Sequence, residues 1–128
     1  MKLLLDTHIF MWWADQPEKL SPAVLTALED EANTLILSVA SVWEMQIKTQ
    51  LGRLKLRLPL DGLVKSQQDA NDLQLLSVEL AHVLALDALP FHHKDPFDRL
   101  LIAQSIEEDV TLVSADSKFS AYPVKLLQ

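Results

Sequence analysis

The chain has no cysteine and only two glycines, Gly52 and Gly62, among its 128 residues. Without cysteine it makes no disulfide, offers no thiolate to a metal and has no sulfur nucleophile, which fits a reducing compartment. Two isolated glycines build neither a G-x-x-x-x-G-K phosphate loop nor a G-x-G-x-x-G dinucleotide turn. Nucleotide binding on a glycine loop is therefore excluded. No stretch approaches the roughly 18 uncharged apolar residues of a membrane span. The apolar start, MKLLLDTHIFMWWAD, is interrupted by Asp6, His8 and Asp15, and no small-residue cleavage site follows, which argues against a secretion signal. A soluble, cytoplasmic protein is expected. Internal repeats, low-complexity tracts and linkers are also missing.

What the chain does have is apolar residues and acids. It is 49% hydrophobic, enough to bury a core without covalent staples, and its length suits one domain spanning residues 1–128. The net charge is −7. That balance argues against wholesale nucleic-acid binding. It also arises when carboxylates are gathered into a metal site.

Short apolar runs alternate with helical patterns. Strands are predicted at Lys2–Leu5, Thr34–Leu37, Leu75–Val78, Val110–Val113 and Val124–Leu127. Helices are predicted from Ile9 to Ala14, from Ser21-Pro22 to about Ala32, over Leu60–Leu73, over Glu79–Leu86 and over Pro96–Glu108. Ser41-x-x-Glu44 matches a capping box, opening a helix that presents Trp43, Ile47, Leu51 and Leu54 on one face. Strands alternating with helices imply a three-layer α/β/α fold with a mainly parallel sheet and right-handed crossovers. Ligands of such sheets bind at the carboxyl edge, where every strand-to-helix loop lies.

Four acids fall at that edge. Asp6 directly follows the first strand, Glu44 sits in the helix after the second, Asp98 opens the helix before the fourth, and Asp116 lies three residues past Val113. Two like charges about 4 Å apart at an effective dielectric near 20 repel by about 4 kcal/mol. Converging carboxylates must therefore protonate, separate or bind a cation, and hard oxygen ligands select Mg²⁺ or Mn²⁺. Each acid also has an ordinary reading. Asp6 and Asp116 suit turns, Glu44 suits the capping box, and Asp95-Pro96 suits an N-cap with proline at the first helical position, leaving Asp98 to favour the helix dipole. Capping and metal roles can coexist. The adjacent His92 and His93 read as a solvated loop, and His8 as packing or surface. Trp12, Trp13 and Trp43 read as core or interface. Lys48, Arg53, Lys55 and Arg57 cluster just beyond Glu44, and Lys94 and Arg99 flank the other acidic helix start. They form either a rim for phosphates or a solvated charged face, and Arg99 has a neighbouring acid as an alternative partner.

The stretches "LLLDTHIFMWW", "SVASVWEMQIK", "KDPFDRLLIAQ" and "TLVSADSKF", in this order and spacing, resemble the PIN-domain ribonucleases, in particular the VapC-like toxins of bacterial toxin–antitoxin pairs. The resemblance spans nearly the whole chain. It implies a PIN-like fold and Mg²⁺- or Mn²⁺-dependent endonuclease activity on RNA. Carried onto this chain, the family's acids are Asp6, Glu44, Asp98 and Asp116, with Asp6, Asp98 and Asp116 holding metal. Thr7 and Ser114 match assisting polar positions, and Asp95 belongs to the branch bearing "DPFDR". A small inhibitory antitoxin and a homodimer are implied as well. Two competing readings are a catalytically silent PIN-fold binding module and a phospho-accepting receiver domain. The second lacks an acid pair after the first strand and a clear phosphoacceptor after the central one.

Overall fold

The structure is a computed structural model describing residues 1–128. Five parallel strands form one sheet in the order β3-β2-β1-β4-β5. They are β1 (Lys2–Leu5), β2 (Thr34–Ser38), β3 (Gln74–Leu76), β4 (Thr111–Val113) and β5 (Leu126–Leu127), and six helices join them: α1 (Thr7–Asp15), α2 (Pro22–Glu29), α3 (Val39–Gln50), α4 (Leu60–Asn71), α5 (Leu80–Ala85) and α6 (Pro96–Glu107). The strand order reverses beside β1. The chain winds outward through β2 and β3 and then crosses to β4, so the crevice at the carboxyl ends of β1 and β4 is the switch point of the sheet.

The central strand explains the layers. Successive side chains of a strand point to opposite faces. Leu3 and Leu5 pack with Ile9, Phe10, Met45 and Leu63 on one side, while Leu4 packs with Leu101, Ile102, Leu112 and Phe119 on the other. Leu3, Leu4 and Leu5 are each 0% exposed. Both faces of β1 are therefore covered, which is why it reads as an unbroken apolar run. The expected α/β/α architecture is what the chain adopts.

Several boundaries differ from the sequence reading. The helix after β2 begins at Val39, with Ser38 as N-cap accepting from the Ala40 amide, 3.1 Å. Ser41 is buried inside that helix and its hydroxyl has no partner. The expected capping box at Ser41 and Glu44 is not formed, because a competent cap three residues earlier already satisfies the helix start. Glu44 is thereby left free of capping. The same helix stops at Gln50, followed by Gly52 at φ 71°, so Leu54 does not share a helical face with Trp43. Trp43 is not in the core: it is 61% exposed and meets Phe97 edge to face with ring centroids 5.3 Å apart. α2 ends at Glu29, and β3 lies one residue before its expected start.

Ser38→Ala and Ser41→Ala separate the two capping assignments. Ser38→Ala is expected to lower unfolding free energy by about 1 kcal/mol, and Ser41→Ala, which removes an unpartnered hydroxyl, to leave it unchanged or higher. Denaturant titration measures both, and the opposite ranking would restore the Ser41 cap.

Candidate active site

Two strand ends and two helices, α3 and α6, deliver the acids, and three of the carboxylates near the crevice are held by local backbone. Asp6 caps α1 by accepting from the Ile9 amide at 2.8 Å, while its own amide donates to the Val113 carbonyl at 3.0 Å. Asp95 caps α6, accepting from the amides of Phe97 (2.8 Å) and Asp98 (3.2 Å). Asp116 accepts from the Lys118 amide at 2.9 Å and caps the short turn Ser117–Ala121. Glu44 is held by side chains instead: the Thr7 hydroxyl donates to its Oε1 at 2.6 Å and the Lys48 ammonium to its Oε2 at 2.9 Å. The turn and cap expectations for Asp6, Asp95 and Asp116 are met.

Polar contacts link these groups. The Ser114 hydroxyl lies beside Asp6, whose carboxyl it draws downward, and accepts from the Asp116 amide at 3.0 Å. The His93 Nε2 lies 3.1 Å from Asp116 Oδ2 and 3.0 Å from Asp98 Oδ2. One potential ligand atom from each of His93, Asp98 and Asp116 lies within 4.8 Å of the others. Asp6, Glu44, Asp98 and Asp116 thus meet at one edge, with Thr7 and Ser114 among them.

The charges leave a mark on proton affinity. Burial pushes the Asp98 carboxyl up to about 7; the Asp95 charge adds to this, His93 opposes it, and Glu44 and Asp6 add again. Burial also raises Asp6, against the Ser114 and Ile9 hydrogen bonds and the charge of His8, with Glu44 reinforcing it. At Asp116 burial pulls upward, but the Lys118 amide, the His93 hydrogen bond and the charges of His93 and Lys118 together hold the carboxyl below its ordinary value. Among these acids only Glu44 has a lysine or arginine in an ion pair. A set of hard oxygen donors with too little positive charge fits a divalent cation of the Mg²⁺ or Mn²⁺ kind.

Two sequence expectations need correction. Arg99 is buried and faces away from the acids, donating to the carbonyls of Pro90 (2.9 Å), Leu86 (3.2 Å) and Leu89 (3.3 Å) and lying 4.1 Å from the Phe91 ring centroid. Its fork satisfies loop carbonyls, which a single acid would not do. His93 is not solvated: it is 6% exposed and faces the acids, while His92 is exposed and packs edge to face on Tyr122. The turn at Phe91 and His92 leaves the first ring outside, while His93 is held inward by its amide on Tyr122, its ring on Phe119 and the Asp95 amide. Of the expected basic rim, Lys48 is tied to Glu44, and Arg57 lies 3.6 Å from Asp15. Arg53, Lys55 and Lys94 are exposed without ion pairs.

This acidic crevice on a reversed parallel sheet places the chain in a family: the model described as "PIN domain" matches residues 3–125, and the chain belongs to the PIN-domain family. It is 31% identical over 121 residues to ribonuclease VapC22 of Mycobacterium tuberculosis (strain ATCC 25618 / H37Rv), covering 94% of this chain and 91% of that protein. In fold it resembles the crystal structure of VapBC2 from Rickettsia felis bound to a DNA fragment from their promoter, with TM-score 0.75, 19% identity and coverage of 99% and 98% of the two chains. It also resembles FitAcB from Neisseria gonorrhoeae, with TM-score 0.64, 15% identity and coverage of 98% and 96%.

The raised Asp98 predicts a pH effect. Between about pH 4 and pH 7 the unfolded chain has already released a proton that the folded protein keeps, so stability without metal falls as pH rises through that window. Asp98→Asn removes the ionisation. In EDTA it is expected to melt several degrees above the wild type at pH 8, with the gap closing toward pH 4. Equal melting temperatures at pH 8 would show that Asp98 ionises there without penalty.

Proposed function

We propose that this chain is a Mg²⁺- or Mn²⁺-dependent endoribonuclease acting in the cytoplasm as the toxin of a toxin–antitoxin pair. The observation that carries this reading is the meeting of Asp6, Glu44, Asp98 and Asp116 from separate connections, with Asp98 raised to about 7 by burial and by the neighbouring acids. Kinship with a protein named a ribonuclease supports the substrate class.

Asp6, Asp98 and Asp116 would hold the ion, and Glu44 would complete the site. When bound, the ion lowers the pKa of a water and offsets charge building on the phosphate. The protein supplies the placement. Ser114 fixes Asp6 relative to Asp116, Thr7 and Lys48 orient Glu44, and the Asp95 cap aims the first turn of α6, and with it Asp98, at the crevice. Attack by water leaves a 5′-phosphate and a 3′-hydroxyl and does not use the substrate's 2′-hydroxyl as nucleophile. A small antitoxin covering the acids, in line with a structural neighbour described as a toxin–antitoxin complex, and a homodimer complete the reading.

Asp6→Asn, Asp98→Asn and Asp116→Asn are each expected to abolish Mg²⁺-dependent cleavage while preserving the circular-dichroism spectrum, and induced expression of the wild type but not Asp6→Asn should arrest growth. Mapped RNA ends should carry 5′-phosphates. Product ending in a 2′,3′-cyclic phosphate would falsify the scheme, and absence of cleavage by a Mg²⁺-loaded wild type would favour a silent binding module.

Exposed Arg53, Lys55 and Lys94 are the rim cations left for substrate phosphates. Three phosphate contacts on a single strand give a slope of log affinity against log salt of about −2. Charge reversal at Arg53 and Lys55 together should reduce that slope to about −1 and weaken RNA binding. An unchanged slope in a filter-binding titration would return these residues to a solvated face.

A further inference from the structure

His93 lies where a third metal ligand would be sought, yet its surroundings assign it another task. Its Nδ1 accepts from the Asp95 backbone amide at 3.2 Å. A nitrogen that accepts an N–H carries no hydrogen, so the neutral ring bears its hydrogen on Nε2. That hydrogen faces Asp116 Oδ2 at 3.1 Å, with Asp98 Oδ2 3.0 Å from the same nitrogen. Ligation through Nε2 needs its lone pair, which would move the hydrogen to Nδ1, against the Asp95 N–H. The backbone amide of the residue that caps α6 therefore selects the tautomer that donates toward the acids.

The ring cannot easily turn away from this arrangement. The His93 amide donates to the Tyr122 hydroxyl at 2.9 Å, and that hydroxyl donates to the Pro90 carbonyl at 2.7 Å. The imidazole packs on Phe119 with centroids 5.5 Å apart, and the residue is buried. We propose that His93 is a positioning residue: its Nε2–H donates to Asp116 while the same nitrogen lies against Asp98, so that the ring spaces the two acids to receive a divalent ion, and it is not itself a ligand. This rests on the nuclease reading above and adds to it which side chain sets the separation of the two acids. Partners that orient ligands in this way typically change metal affinity or activity about 10–100-fold when replaced.

The full-length protein, labelled with ¹⁵N at histidine, tests this directly through long-range proton–nitrogen spectra recorded without metal and with saturating Mg²⁺; the signal of His93 is assigned by its loss in His93→Gln. Nε2 protonated and Nδ1 bare in both states is the expected result. A hydrogen on Nδ1 with Nε2 bare, in either state, overturns the proposal. Calorimetry with Mn²⁺ and steady-state cleavage give a second test. His93→Ala should bind Mn²⁺ about 10–100-fold more weakly, with kcat lowered and KM for RNA little changed, and His93→Gln, whose amide N–H can still donate, should recover part of the loss. Gln no better than Ala also overturns the bridging role. A wild type that neither binds Mn²⁺ nor cuts RNA defeats the nuclease reading and the spacing role with it. The wrong tautomer in a protein that does both defeats the role of His93 alone.

Discussion

Burial of carboxylates that also repel one another is the constraint around which the rest of this structure is arranged. Asp6 and Glu44 are each 5% exposed, and both add to the field that raises Asp98. Left to themselves, such groups would move apart or each draw in a cation, as only Glu44 does with Lys48. What holds the others in place is β1, buried over Leu3–Leu5, which hydrogen-bonds to β2 on one side and β4 on the other and fixes the ends of three connections before any acid is placed. The stability of the apolar sheet bears the electrostatic penalty of the edge, an arrangement common where a site must be ready for a ligand that is absent part of the time.

The acids also serve the fold that burdens them. Asp6, Asp95 and Asp116 each accept backbone amides at the start of a helix or turn, where a carboxylate satisfies otherwise orphaned donors and favours the helix dipole. Each of these residues is thus held by one oxygen through its own backbone, with its rotamer settled locally. Glu44 and Asp98 are the exceptions: Thr7 and Lys48 restrain Glu44, and His93 lies against Asp98. An asparagine at Asp6 or Asp116 retains an amide-accepting oxygen, so loss of charge there need not mean loss of local structure.

This division explains what the sequence disclosed. Parallel strands, layer order and the shared edge follow from local periodicity and chain direction, and the four acids were legible because each sits at a fixed offset from a strand or helix end. The α6 start was legible for the same reason: Asp95-Pro96 is a complete local signal. Glu44 was harder, since Ser38 and Ser41 are both plausible caps and the choice turns on where β2 ends. His93 and Arg99 were misread because their roles depend on groups remote in sequence or on carbonyls, which carry no side-chain signature. Nothing near "HHKD" says which backbone amide meets a tyrosine hydroxyl 29 residues away or which ring packs on Phe119.

Those misread residues also answer how two irregular loops can carry a site that demands placement within about 0.5 Å. The segment from Leu86 to Asp95 and the one from Ser114 to Val124 have little strand pairing of their own. Arg99 ties the first to α6 through three carbonyls. Tyr122 ties the first to the second through the Pro90 carbonyl and the His93 amide, and the Gln128 side chain donates to the Asp116 carbonyl at 3.1 Å. The bracing thus runs from α6 through the loop to the turn that bears Asp116. A lysine at position 99 would keep the charge but not the planar fork that reaches several carbonyls at once, so what this position requires is geometry rather than charge. Precision at the acids therefore depends on a buried arginine that does not touch them.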